Sequence, residues 1–215
     1  SFVVPTGNFG NVYAGYVCKR MGLPVDRLVV SSNKNDILTR FFESGKMFKK
    51  KTVKTYSPSM DIQVSSNFER LLFHFLKDSL KIKEFFKELE EKGEFRIDKK
   101  TLNSLKLFFK YGRLNDPNTL STIKEIYTKF KLIVDPHTAV GYSVGKKVLD
   151  DNSERIYFAT AHHSKFLETV KKVIKVKIPY PKQIKGILKK KENFYILKND
   201  LNEFICFVKD KLSST

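Results

Sequence analysis

The stretch FVVPTGNFGNVYAGYV, residues 2–17, decides how this sequence is read. Its apolar start, residues 2–4, is typical of a buried β-strand, and a helical pattern begins at Asn11. Gly7 and Gly10 lie between the two. Because glycine has no Cβ, backbone N–H groups can approach an anion there, and the start of the helix adds the positive end of its dipole. The stretch therefore predicts a phosphate-binding loop between a strand and a helix.

The spacing of the two glycines is less specific than the whole stretch. Gly7 and Gly10 fit neither G-x-G-x-x-G nor G-x-x-x-x-G-K-S/T, which excludes the usual dinucleotide and nucleoside triphosphate fingerprints. On spacing alone, a simple turn that opens a helix is an equal alternative. The rest of the sequence has to decide between the two.

The chain around this loop alternates between strands and helices. Helices are predicted over residues 11–21 and 36–44, each followed by a glycine, with a buried strand over residues 27–31 between them. This order predicts an α/β fold with a parallel sheet covered by helices. Residues 67–130 carry apolar side chains at helical spacing, which predicts an inserted helical subdomain.

Four later elements carry their own signals. Ser66 and Glu69 form a capping box before the predicted insertion, and Asp135 stands before a proline as the cap of another helix. A strand is predicted over residues 155–159, and the tail ends in an amphipathic helix over residues 200–212. The α/β pattern therefore resumes after the insertion.

Four strings of the sequence, taken together and in order, resemble one enzyme family. They are VPTGNFGN (residues 4–11), SPSMDI with SNFER (57–62 and 66–70), DPHTAVG (135–141) and ATAH (159–162). They are similar to the corresponding strings of threonine synthases, which are pyridoxal-phosphate enzymes of the tryptophan-synthase-β fold type. The resemblance runs from residue 1 to about residue 170 and implies a C-terminal portion of such an enzyme.

The resemblance implies a fold and a division of the chain. The fold would be part of the parallel-sheet, helix-covered domain of fold type II, with its N-terminal strands missing. The segments would be 1–66, which binds the cofactor phosphate, 67–130, the helical insertion, 131–178, a return to the α/β core, and 179–215, a C-terminal helical tail.

The resemblance also implies a set of site residues. The backbone N–H groups of the loop would hold the phosphate of pyridoxal 5'-phosphate, and the Thr160 hydroxyl would bond its pyridine nitrogen. Weaker matches suggest contacts with the substrate. The predicted cofactor-binding residues are Gly7, Asn8, Phe9, Gly10, Asn11 and Thr160, and the predicted substrate-binding residues are His137, Thr138 and His162.

Plainer interpretations remain open for several of these residues. Thr160 could cap a helix, and helix capping alone accounts for Asp135 and the proline after it. The family commonly has Pro-Ala after the histidine of the last string, whereas this chain has His163-Ser164. That departure leaves a surface or packing role for His162 as an equal alternative.

The catalytic lysine of the family has no counterpart here. In threonine synthases the lysine that forms a Schiff base with the cofactor lies upstream of the phosphate loop, in a Ser-Phe-Lys-Asp-like context, and no such string occurs in this sequence. We therefore expect no catalytic residue in this chain and a missing N-terminal portion as its partner. The chain alone is expected to be inactive.

Composition excludes some classes of function and leaves others open. The formal net charge is +18, but 34 of the 41 basic residues are lysines spread along the 215 residues, and no nucleic-acid motif accompanies them. Cys18 and Cys206 are far apart, which indicates a reducing compartment, and no metal-binding spacing occurs. No apolar run is long enough to span a bilayer. The expected location is the cytoplasm.

Three functions remain, in order of preference. In the first, the chain is part of a threonine synthase that converts O-phosphohomoserine and water into threonine and phosphate. In the second, it is a truncated or decayed fragment of that enzyme without catalytic activity. The third and weakest is a basic module associated with nucleic acid.

Overall fold

Strands and helices alternate along most of the chain. The structure, a computed structural model, describes residues 1–152, 154–178, 180–184 and 186–213, and the side chains of these residues except Gln183 and Leu188. The strands are β1 (Phe2–Pro5), β2 (Leu28–Ser32), β3 (Lys46–Phe48), β4 (Glu94–Arg96), β5 (Phe109–Arg113) and β6 (Ile156–Tyr157). The α-helices are α1 (Gly10–Arg20), α2 (Ile37–Ser44), α3 (Phe68–Leu76), α4 (Ser79–Glu91), α5 (Lys99–Lys106), α6 (Asp116–Phe130), α7 (Pro136–Val148), α8 (Leu167–Val173) and α9 (Leu201–Ser213).

The central sheet is parallel and has the strand order β5-β2-β1-β6. Alternate residues of β1 and β2 face opposite sides: Val4 and Val30 join one hydrophobic cluster, whereas Val3 and Val29 join another that includes residues of α7. All four valines are fully buried, as expected for a sheet covered on both faces. The predicted α/β class is therefore confirmed. The loop after β1 leaves the carboxyl edge of the sheet, where such folds bind ligands.

Residues 67–130 are not the purely helical insertion that their pattern predicts. Within this range β5 pairs with β2 in the central sheet, and β4 pairs with β3 in a small antiparallel ribbon. The apolar run at residues 107–109 fits a short strand as well as one helical turn, so periodicity cannot distinguish them. The segment forms a strand because one edge of β2 needs hydrogen-bond partners, and the backbone of β5 supplies them.

Two glycines let α7 lie directly against β1. A Cβ at Gly145 would stand 2.8 Å from the Tyr157 ring and 2.9 Å from Val3. A Cβ at Gly141, one turn earlier, would stand 3.2 Å from the ring of Pro5. This close contact fixes the N-terminal end of α7 beside the loop that follows β1.

The two predicted helix caps have opposite outcomes. Asp135 caps α7 as predicted, and its carboxylate accepts from the N–H of His137 at 2.8 Å. The prediction of a capping box at Ser66 is wrong. Helix α3 begins at Phe68, with Asn67 in the cap position and no hydrogen bond from a capping side chain. The Asn67 side chain is used elsewhere, in the candidate site.

The chain forms two compact units, Ser1–Ile178 and Pro179–Thr215. The second contains α9, displaced by one residue from the helix predicted over residues 200–212. The apolar side chains Leu201, Phe204 and Leu212 of α9 are exposed. Among the described residues, no helix combines the length and apolar character that crossing a membrane requires.

Candidate functional site

The loop after β1 turns at a phenylalanine. Phe9 has a φ of 62°, in the left-handed region that residues with a side chain seldom adopt. Its ring is fully buried, with its centroid 5.0 Å from that of Phe68 and 5.9 Å from that of Phe109. Its N–H donates to Thr6 Oγ1 at 3.0 Å. Phe9 therefore anchors the loop in the core, and its own N–H already has a partner.

Four other N–H groups of the loop remain available. Those of Gly7, Asn8, Gly10 and Asn11 form no hydrogen bond with any residue that the structure describes. Gly10 and Asn11 open α1, and the first N–H groups of a helix have no partner within it. A left-handed residue next to a helix start can turn successive N–H groups toward one point, which is the geometry of an anion-binding nest.

A second layer of residues holds this loop in place. Asn67 donates to the Asn8 carbonyl oxygen twice, from its backbone N at 3.1 Å and from Nδ2 at 2.9 Å. On the other side, a Cβ at Gly7 would stand 3.1 Å from both Ile62 and the carbonyl oxygen of Ser59. The segment around residues 57–67 thus supports the loop from behind.

Asp61 organises that supporting segment. Its Oδ1 accepts hydrogen bonds from Asn33 Nδ2 at 2.8 Å, Asn35 Nδ2 at 2.9 Å and Thr55 Oγ1 at 2.6 Å. Its Oδ2 accepts from the Thr55 N–H at 2.8 Å. Sequence reasoning gave Asp61 no role beyond a match to the family string. The structure makes it the centre of a polar network that joins the end of β2 to residues 53–63.

A cavity of about 260 Å³ lies at the loop. It brings together six of the nine predicted site residues: Gly7, Asn8, Gly10, Asn11, His137 and Thr160. The remaining lining residues are Pro5, Thr6, Ser59, Met60, Ala161 and Lys165. Thr160 is exposed and its hydroxyl forms no hydrogen bond with a described residue, so it is free to bind a ligand.

The start of α7 forms a buried cluster beside this cavity. Asp135 Oδ1 lies 2.8 Å from His137 Nδ1, and Oδ2 accepts a hydrogen bond from Thr138 Oγ1. Burial alone would raise the pKa of Asp135, but the hydrogen bonds from His137 and Thr138 outweigh it and hold the pKa below its usual value. Asp135 is therefore a carboxylate at neutral pH.

Three predicted site residues lie outside the loop cavity. Phe9 is in the core, while Thr138 and His162 line a neighbouring apolar cavity of about 520 Å³. His162 accepts a hydrogen bond from the Ser164 N–H at 3.1 Å and caps the short 3-10 helix His163–Phe166. The Ser164 hydroxyl, 2.8 Å from His162 Nδ1, is a contact that the family's alanine could not make. Burial, together with the charge of His162, lowers the pKa of His163.

The described residues contain no group of three or more histidine, cysteine or acidic side chains that could hold a metal ion. The cavity is lined instead by the backbone of the loop, by the hydroxyl-bearing residues Thr6, Ser59 and Thr160, and by Lys165. These groups donate hydrogen bonds or carry positive charge, which suits a phosphate.

The sequence matches known proteins over most of its length. Residues 138–208 match the family described as threonine synthase, C-terminal. The chain is 40% identical over 188 residues to threonine synthase of Saccharomyces cerevisiae, covering 79% of this chain and 37% of that protein. It is 36% identical over 212 residues to threonine synthase of Pseudomonas aeruginosa, covering 97% of this chain and 45% of that protein. The chain thus spans less than half the length of these relatives.

Solved structures give the same result. A crystal structure of threonine synthase from Brucella melitensis with bound pyridoxal phosphate superposes with a TM-score of 0.89 and 39% identity, covering 97% of this chain and 45% of that one. The yeast threonine synthase superposes with a TM-score of 0.85 and 34% identity, covering 100% and 47%. The resemblance expected from the four sequence strings is confirmed.

Proposed function

We propose that this chain, which is homologous to the C-terminal portion of threonine synthases, holds the phosphate and the ring of pyridoxal 5'-phosphate in such an enzyme. The whole protein would convert O-phosphohomoserine and water into threonine and phosphate. The observation that carries this proposal is the loop cavity, where four N–H groups at and just before the start of α1 have no partner among the described residues, in a chain 33–40% identical to threonine synthases.

The residues present fit this cofactor. A phosphate dianion needs several donors, and the N–H groups of Gly7, Asn8, Gly10 and Asn11 supply them around one cavity. Lys165 adds a positive charge to the same cavity. When bound, pyridoxal phosphate supplies an electron sink for negative charge that develops on the amino-acid substrate.

The chain's own residues would orient the cofactor. The loop fixes the phosphate end, because its backbone is held by Phe9 and Asn67. Thr160 lies in the same cavity and would offer its hydroxyl to the pyridine nitrogen. A hydroxyl carries no charge, so the nitrogen would stay largely unprotonated and the ring would remain a moderate electron sink.

The rest of the machinery would come from sequence that this chain does not cover. The reactive lysine and the first strands of a fold type II sheet are assigned to that portion, which is also the proposed partner. Within the chain we assign 1–66 to cofactor binding and 131–178 to the core, with 179–215 as a tail. Thr138 and His162 are assigned to the substrate side of the site.

We also propose a cytoplasmic location. Cys18 and Cys206 are free and exposed, which supports a reducing compartment.

The test uses the protein at its full natural length and compares two valine substitutions in α1. A Cβ at Gly10 would stand 3.6 Å from Asn67 Nδ2, an ordinary contact, so the fold itself does not require glycine there. We expect Gly10→Val to lose pyridoxal phosphate on dialysis, with affinity reduced about tenfold or more because one donor is displaced and the cradle is filled. Ala14→Val, at an exposed position one turn later, is the matched control.

Two results decide between the alternatives. Full cofactor occupancy in Gly10→Val would contradict the assignment of this loop to the cofactor phosphate. Phosphate and threonine formed from O-phosphohomoserine by the full-length protein would establish the enzyme, whereas cofactor binding without turnover would favour the decayed fragment. Turnover by the isolated 215-residue chain would contradict the assignment of the reactive lysine to other sequence.

A further inference from the structure

A second polar cavity lies at the carboxyl edge of the central sheet, where β2 and β5 end. Its volume is about 320 Å³, and among the described residues it shares no lining residue with the loop cavity. Lys34 comes from the turn after β2, Arg113 ends β5, and Lys147 comes from the last turn of α7. Three cationic side chains from separate elements thus line one cavity that the proposed function does not use.

The acidic side chain at this cavity is already neutralised by the protein. The Asp36 carboxylate accepts hydrogen bonds from Arg40 Nε at 2.8 Å and from Arg113 Nη1 at 2.5 Å. Arg113 also pairs through Nη2 with Glu43, at 3.2 Å. Two guanidinium groups are therefore balanced by two carboxylates, and this group of four side chains has no net charge.

The two lysines carry the positive charge that remains. The side chains of Lys34 and Lys147 are exposed, and neither forms an ion pair or a hydrogen bond with any residue that the structure describes. Positive charges that share a cavity repel each other, and an anion between them replaces this repulsion with attraction. The cavity therefore has an excess of positive charge and suits an anionic ligand.

The start of α6 adds neutral hydrogen-bond donors to the cavity. Asn115 and Asn118 both line it. Asn115 caps the helix through Oδ1, which accepts from the Asn118 N–H at 3.0 Å, and this leaves its amide NH₂ group for other partners. Asp116 lies in the same turn, but its carboxylate accepts from the Tyr56 N–H at 3.2 Å and does not line the cavity. Amide donors beside two ammonium groups suit the oxygens of a phosphate.

We propose that this cavity is a second phosphate site, which binds a phosphate dianion between Lys34 and Lys147. The two ammonium groups match the charge of the dianion, and the side-chain amides of Asn115 and Asn118 donate to its oxygens. The volume leaves room for a small organic group, so inorganic phosphate and a small phosphate monoester share the required chemistry. This inference does not rest on the proposed function, because the loop cavity uses other residues.

The experiment measures phosphate binding by calorimetry to the full-length protein, loaded with pyridoxal phosphate and dialysed free of excess, so that the loop cavity is filled. Inorganic phosphate, glycerol 3-phosphate and succinate are titrated separately. The test variant is the double substitution Lys34→Gln/Lys147→Gln. The matched control is Lys83→Gln/Lys124→Gln, which removes two exposed lysines from α4 and α6 and changes the net charge by the same amount.

We expect the affinity for phosphate to fall at least about tenfold in Lys34→Gln/Lys147→Gln, since two charge-assisted hydrogen bonds are lost. The control should lose less than about twofold at physiological ionic strength, because salt screens charges outside the cavity. Whichever of inorganic phosphate and glycerol 3-phosphate binds more tightly identifies the source of the phosphate. Equal affinities in the two double variants, or tighter binding of succinate than of either phosphate, would overturn the inference.

A second measurement locates the anion without any variant. Crystals of the full-length protein soaked in arsenate, which has the shape and charge of phosphate, should show an anomalous peak between Lys34 and Lys147. A cavity without this peak would overturn the inference.

The variant Gly10→Val separates this inference from the proposed function. It should keep phosphate binding at the second site while it loses pyridoxal phosphate. If phosphate binding is lost in Gly10→Val and kept in Lys34→Gln/Lys147→Gln, only the second site is refuted. If pyridoxal phosphate stays bound in Gly10→Val while the lysine variant loses phosphate, only the proposed function is refuted.

Discussion

The two loops that meet at the cavity are held in different ways. The β1 loop, residues 6–11, is tied to β2, to its own Thr6 and to Asn67, and it buries Phe9 completely. The β6 loop, residues 158–165, follows a strand of only two residues, and its Thr160 and Lys165 are exposed. Backbone donors thus come from the fixed loop and side-chain donors from the exposed one. The fixed loop suits an anion whose position must not vary, and the exposed loop suits contacts that adjust to the ligand.

The largest effect is expected where the support of the β1 loop is removed. Asp61→Ala would remove one acceptor each from the Asn33 and Asn35 side chains and the acceptor of the Thr55 N–H, and Asn33 is 1% exposed. We expect a loss of about 3 kcal/mol in the free energy of unfolding, measured by urea denaturation. Asp26→Ala, at an exposed aspartate, should change it by less than about 0.5 kcal/mol. Similar values for the two variants would contradict a supporting role for Asp61.

The next effect depends on pH. Asp135 has a folded-state pKa below its unfolded value, so its charge stabilises the fold above about pH 4 and this stabilisation is lost as the pH falls through the folded-state value. Asp135→Asn should reduce the unfolding free energy by about 2 kcal/mol at pH 7. The difference in unfolding free energy between Asp135→Asn and wild type should narrow below pH 4. A gap that stays constant from pH 6 to pH 3 would contradict the lowered pKa.

A smaller effect should distinguish two ways of fixing the start of α3. One is the observed contact of Asn67 with the Asn8 carbonyl, and the other is the capping box predicted at Ser66. Asn67→Ala removes one hydrogen bond to the Asn8 carbonyl and should cost about 1 kcal/mol of stability. The affinity of the β1 loop for inorganic phosphate, measured by calorimetry, should fall as well. Ser66→Ala should leave both unchanged, because Ser66 caps nothing. A larger loss of stability in Ser66→Ala than in Asn67→Ala would support the predicted capping box instead.

The smallest change in stability is expected in the β6 loop. Thr160 is exposed and makes no hydrogen bond with described residues, so Thr160→Ala should change the unfolding free energy by less than about 0.5 kcal/mol. Turnover by the full-length protein should nevertheless fall about tenfold, since one hydrogen bond to the cofactor ring is lost. Thr160→Ser should retain the turnover of the wild-type protein, because serine keeps the hydroxyl. Unchanged turnover in Thr160→Ala would refute the contact with the pyridine nitrogen.

Local patterns in the sequence predicted the local parts of this structure. The strand, glycine loop and helix at residues 2–20, and the cap at Asp135, follow from rules that act over a few residues. The position of β5 did not follow, because its pairing with β2 joins residues about 80 apart. The same holds for the network around Asp61, whose partners Asn33 and Asn35 lie more than 25 residues away.

The turn at Phe9 was missed for a different reason. A sequence pattern shows that Phe9 is apolar and next to glycines, and glycine is the usual residue in a left-handed turn. Here the left-handed residue is the phenylalanine, since burying its ring between Phe68 and Phe109 offsets the unfavourable backbone. This compensation between ring burial and backbone conformation is visible only in the packed core.

The contact between α7 and β1 has a mechanical consequence. With Gly141 against Pro5 and Gly145 against Val3, the backbone of the helix lies in direct contact with the strand. Pro5 leads into the N–H groups of the β1 loop, and the start of α7 carries His137. The β1 loop and the start of α7 are therefore held next to each other, so a change in the β6 loop need not alter the distance between them.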